Sequence, residues 1–244
     1  GGSTIEGSKH FISAGSDAHG DFNFMSKTHW LYGDHAIDNA LGKLTTLVYC
    51  PSGMGENGNA VLEGLKSGRT VMSDGPVVIF WLDKDSNGRL DPSDAGIGDN
   101  AEIIASQSLK FQLQWTLTSE FGSISNTRIS IYKGTRNREI PIGTFTPTSF
   151  TGIRSLDLTD YLPASIDGYV YFRLELETSP SGSNEIFHCY TNPIWIKTVS
   201  GDIASPTPGI PEEQIPPPSL GDQGTLFLFA ATGNSEKIDG AEVY

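Results

Sequence analysis

A chain of 244 residues is long enough for one large domain or two modest ones, each with its own core. An apolar content of 37%, with 28 glycines, 14 prolines and only 18% charged residues, suits a protein of strands and turns better than a helical bundle. The formal charge of −13 argues against any phosphate-backbone partner, because nucleic-acid binders concentrate Lys and Arg, and favours solubility and divalent cations.

The first apolar run, Phe11-Ile12-Ser13-Ala14, reads as a short strand that stops at Gly15 and then offers Asp17 and His19. A carboxylate and an imidazole two residues apart fall on one face of the emerging loop, and strand ends are where α/β proteins bind and react. A catalytic metal takes three or more protein ligands, so the pair alone is also compatible with an Asx turn and an incidental histidine. Residues 22–32 read as a loop, and His29 and His35 as surface or helix-end histidines without companions at ligand spacing. Asp34 caps a short helix over 35–41 that Gly42 stops. The glycines of 53–58 lack the Gly-Lys-Ser/Thr ending of a phosphate loop and read as a flexible approach to a helix over 60–66. Asn57 or Asn59 caps that helix, Val61, Leu62 and Leu65 form its apolar stripe, and Gly68 ends it. A strand over 70–72 runs into the turn Ser73-Asp74-Gly75-Pro76.

From Pro76 the texture changes to short β-type runs: 77–82, 102–105, 110–117, 127–132, 140–145, 154–158, 169–177 and 186–196. In 110–117 every second residue is apolar, so one face is buried and the other wet. Seven or eight such strands predict an antiparallel β-sandwich over 77–199. Residues 200–223 are a Pro-rich, semi-rigid linker, and 224–244 a tail with one further strand over 225–230. Cys50 and Cys189 show no CxxC spacing and read as buried free thiols rather than a disulfide. No apolar run approaches the ~20 residues of a membrane-spanning helix.

The sharpest chemical signal is 83–94, Asp-Lys-Asp-Ser-Asn-Gly-Arg-Leu-Asp-Pro-Ser-Asp. It fits a twelve-residue calcium loop at positions 1, 3, 5, 6, 8, 9 and 12, with Asp94 in place of the usual final Glu. Calcium takes six to eight oxygens, which Asp83, Asp85, Asn87, the Arg89 carbonyl, Asp91 through water, and Asp94 would supply. Gly88 permits the sharp turn. The structural alternative is a solvated acidic hairpin. Because 77–82 reads as a strand, the loop would sit on a sheet edge, and the shorter terminal Asp points to the weaker affinity of extracellular modules.

The segment HFISAGSDAHGDFN (10–23) resembles the last metal-binding motif of the PHP (polymerase and histidinol phosphatase) superfamily. LGKLTTLVY (41–49), AVLEGLKSGRTVMSDGP (60–76) and YTNPIWI (190–196) resemble, in order, later strands and turns of that family and of a β-sandwich that follows its barrel. The resemblance implies an α+β, mostly β chain: residues 1–76 as the C-terminal remnant of a PHP-type α/β barrel, then an immunoglobulin-like sandwich. It implies that Asp17 and His19 are ligands of a divalent transition metal (Zn, Mn or Fe) in a phosphoesterase. The family's opening His-x-His and its upstream ligands have no counterpart among the five histidines, so the chain is expected to be inactive alone and to associate with the missing barrel part or another copy of itself. The alternative is a calcium-stabilised adhesion or glycan-contact module without catalysis, which clustered exposed aromatics on the sandwich would favour. Either reading places the protein outside the cell or in the periplasm.

Overall fold

A computed structural model describes residues 11–15, 44–104 apart from 51–57, 108–163, 168–200 and 225–229, the last stretch by its backbone. The Asp17/His19 loop, the 35–41 helix, the Pro-rich linker and most of the tail lie outside the described residues. The elements are β1 (Thr45–Cys50), α1 (Gly58–Lys66), β2 (Thr70–Ser73), β3 (Val77–Leu82), β4 (Ala95–Gly96), β5 (Asn100–Ile104), β6 (Lys110–Thr116), β7 (Arg128–Gly134), β8 (Glu139–Phe145), β9 (Thr151–Asp157), β10 (Tyr169–Thr178), β11 (Phe187–Thr191), β12 (Ile194–Val199) and β13 (Thr225–Phe229). The chain is mostly β, and every pairing but one is antiparallel, the exception being β12 with β5.

Alternation builds two sheets. In β10 every second residue, from Val170 to Thr178, is buried, and in β6 Phe111, Leu113 and Trp115 are buried between wet neighbours. The smaller sheet runs β4-β3-β6-β9, and the larger carries β13, β1, β2, β11, β10, β12 and β5, with β7 and β8 on the other edge of β10. Their inner faces meet in one core, where the ring of Phe111 lies 5.4 Å from that of Phe172 across the layers. The larger sheet crosses residue 76, since β2 pairs with β11 as well as β1.

α1 covers the outer side of β1, where Val48, Cys50 and Ala60 form a small separate cluster. It ends as a Schellman turn: Gly68 has φ +69° and the Arg69 amide donates to the Gly64 carbonyl at 2.9 Å. Cys50 and Cys189 are both buried free thiols, and burial pushes Cys189 up to about 12.

Three expectations change. Residues 11–14 form no strand; they lie beside the sheet without a backbone ladder. The expected strand over 186–196 is two, because Asn192 and Pro193 interrupt it and a proline has no N–H for the ladder. The two-residue β4 was not predicted; it exists because Leu82 and Trp81 pair with Ala95 and Gly96 to close the acidic loop.

Candidate metal site

The loop 83–94 connects β3 to β4, so a hairpin rather than a helix pair presents it. Its start is fixed to the neighbouring strand by the Asp83 amide, which donates to the Lys110 carbonyl at 3.0 Å. The Asp83 side chain is buried, and its carboxylate accepts the amides of Asn87 (3.1 Å) and Gly88 (3.0 Å) and the Gln112 amide group (2.9 Å). Gly88 has φ +75° and Ser86 φ 62°, the left-handed conformations that fold the chain back over Asp83.

Asp94 closes the far end, its oxygens accepting the Lys84 amide at 2.9 Å and the Asp91 amide at 3.0 Å. Carboxylate oxygens of Asp83, Asp85 and Asp94, positions 1, 3 and 12, all lie within 4.8 Å of one another. These three could hold a metal ion, and their donor set is all oxygen, the chemistry of hard cations. Asp91 is not one of the three. Its Oδ1 takes the Ser93 amide and hydroxyl, which hold its carboxyl below the usual range. Asn87 Nδ2 donates at 2.7 Å to both Asp85 and Asp91, while its Oδ1 accepts the Arg89 amide. A positive amide edge thus sits between two carboxylates, and turning the amide over would present Oδ1 there instead. Asp94 is pushed up, first by burial and then by the charges of Asp91 and Asp85. Packing carboxylates this closely is costly without a cation.

The far side of the loop is anchored into the larger sheet. Asp99 accepts the Gly96 amide at 2.9 Å and the Arg69 guanidinium at 3.2 Å, and the Gly98 amide donates to the Pro193 carbonyl at 2.9 Å. Gly98, at φ +88°, has no space for a side chain, because a Cβ would come within 2.4 Å of the Ser67 carbonyl oxygen.

The segment leading to Asp17 and His19 is held differently. The buried Asn192 side chain accepts the Ile12 amide at 2.9 Å and donates to the Ile12 carbonyl at 3.0 Å and to Thr70 Oγ1 at 2.6 Å. Thr46 Oγ1 accepts the Ala14 amide at 2.8 Å and donates to the Ala14 carbonyl at 2.7 Å. Phe11 packs edge-on to Trp195, with ring centroids 5.7 Å apart. Asp17 and His19 themselves lie outside the described residues. Gln112, Asn192, Thr46 and Thr70 were not singled out in the sequence, where they read as ordinary polar strand positions.

Neither a protein-family model nor a curated protein matches this chain. Among the described residues no helix is long and apolar enough to cross a membrane.

Proposed function

We propose that the chain is a calcium-stabilised, immunoglobulin-like β-sandwich attached to a metal-dependent phosphoesterase of PHP type. The observation that carries the calcium reading is the convergence of Asp83, Asp85 and Asp94 in a twelve-residue loop with Gly88 at its turn. Oxygen donors without nitrogen or sulfur favour calcium over a transition metal. Asn87, after its amide turns, and the Arg89 carbonyl would complete the shell, with Asp91 acting through water. The ion would neutralise the carboxylates and tie the β3–β4 hairpin to β6; its role is structural.

The hydrolase half of the proposal is supported by the way the resembling stretches meet: residues 12, 14, 46, 70 and 192 form one hydrogen-bonded clasp. Asp17 and His19, just beyond it, would supply two ligands to a Zn, Mn or Fe centre whose other ligands come from a partner segment or another copy. The side chains of Ile12 (44%), Leu62 (47%) and Leu65 (39%) are exposed, the kind of apolar surface such a partner would cover.

Calorimetric titration of chelator-treated protein tests the calcium site. One calcium per chain is expected, with a Kd of roughly 10⁻⁴ to 10⁻³ M, abolished in Asp83→Ala/Asp85→Ala. No calcium uptake at millimolar concentrations would overturn it. Elemental analysis after zinc loading, comparing wild type with Asp17→Ala/His19→Ala, tests the second centre separately; identical zinc content in the two would sink it.

A further inference from the structure

We propose that the outward face of the larger sheet over β7, β8 and β10 is a binding surface for a neutral oligosaccharide. This face and its continuation over β11 and β12 bear a row of half-buried aromatic rings, Tyr132, Tyr171, Tyr190 and Trp195.

The rings are fixed in place. Tyr171 lies against the backbone of its cross-strand partner Gly134, where a Cβ would come within 1.9 Å of the ring, and its hydroxyl donates to Glu139 at 2.9 Å. The Arg173 guanidinium stacks 4.4 Å from the centre of the Tyr132 ring, and Trp195 flanks Tyr171 with centroids 6.4 Å apart. Rigid, amphipathic aromatic area costs little conformational entropy when a ligand binds.

Charge decides the ligand class. Arg173 is shared between Glu139 and Glu175, Arg128 pairs with Glu177 at 3.4 Å, and Lys197 with Glu102 at 3.9 Å. These cations are already engaged, and a chain of charge −13 repels polyanions. The paired carboxylates likewise leave no strong site for a cation. What the face offers is stacking surface beside hydrogen-bonding groups of balanced charge, which suits a polyhydroxylated, uncharged ring. Beside Tyr132 lies a shallow, open groove lined by Ser130, Pro141, Gly143 and Thr144.

Affinity electrophoresis through gels containing hydroxyethylcellulose, xylan or galactomannan, with polygalacturonate as the charged counterpart, tests the proposal. Retardation by at least one neutral polymer is expected, weakened roughly tenfold or more in Tyr171→Ala and in Tyr132→Ala. Tyr171→Phe keeps the ring and retains most of the retardation, which separates loss of a stacking surface from loss of folding; Ile153→Ser, on the distant β9 edge, leaves it unchanged. Retardation in none of the neutral gels, in polygalacturonate alone, or to the same degree in both alanine variants overturns the proposal.

Discussion

The acidic loop, which continues from the end of β3, and the Phe11–Gly15 segment, which forms no strand, are held in opposite ways. In the loop, most hydrogen bonds join residues two to five positions apart, as in Asn87 to Asp83 or Ser93 to Asp91, and among the described residues Gln112 is the one distant side chain that reaches in. In the segment, the hydrogen bonds reach partners 32 to 180 positions away, from Thr46 to Asn192. A locally held loop carries its geometry in its own residues, and its clustered carboxylates are the charge that a bound cation would offset. A remotely held segment has no geometry until the sheet has formed, and depends on one or two buried side chains.

The largest effect should therefore come from the remote clasp. Asn192→Ala removes three side-chain hydrogen bonds at a fully buried position, leaving the Ile12 amide without this acceptor and Thr70 Oγ1 with only the Ile12 carbonyl, an expected loss of about 3 kcal/mol in urea unfolding. Hydrogen exchange at the Ile12 amide should accelerate in the same variant. Unchanged exchange there would mean that Asn192 is not what holds the segment.

Metal removal probes the local region. Calcium at about 100 times its Kd should raise stability by about 2.7 kcal/mol, seen as a higher Tm, and Asp83→Asn should abolish the gain. If Asp83→Asn gained as much from calcium as wild type, the ion would be bound elsewhere.

Two glycines sharpen the contrast at smaller scale. Gly68 and Gly88 both have positive φ, but a Cβ on Gly68 would meet the Phe11 ring at 1.9 Å, whereas one on Gly88 meets nothing within 4 Å. Gly88→Ala should cost about 1 kcal/mol, the left-handed backbone penalty alone. Gly68→Ala adds displacement of Phe11 and should cost about twice that. Equal losses in thermal unfolding would show that Phe11 moves aside freely.

The same contrast explains what the sequence made legible. The loop was readable because spacing alone places Asp83, Asp85 and Asp94 around a turn at Gly88, and the structure brings those three together. The strands of the sandwich were readable where alternation is strict, as in β6 and β10. Sequence spacing could not separate β11 from β12, because the apolar pattern runs on through Asn192-Pro193 and only the missing proline N–H breaks it. Nor could it find the clasp, since Thr46, Thr70 and Asn192 are polar residues whose partner is distant in the chain. Asp91 matched the loop pattern as a ligand acting through water; what spacing does not encode is that its Oδ1 takes both the Ser93 amide and the Ser93 hydroxyl.

The smallest effect is the pH response of the ion-free loop, and its sign distinguishes two neighbours. Asp91 has its pKa lowered by the Ser93 hydroxyl, so its contribution to stability is present above the unfolded value of about 3.9 and is lost as pH falls through the lower folded value. Asp94 has its pKa raised by burial, so its ionised form is a cost at neutral pH. That cost is relieved as pH falls through the raised folded value toward the unfolded one. Without calcium, Asp94→Asn should therefore stabilise the protein slightly at pH 7, by less than about 1 kcal/mol, and have no such benefit near pH 4. With calcium the order reverses, because the ion uses the charge that the apo loop bears at a cost, and the variant should be the less stable at pH 7. A thermal unfolding series at the two pH values, with and without calcium, reads all four states; a variant that is equally destabilised in every one would mean that Asp94 acts only through its hydrogen bonds to Lys84 and Asp91.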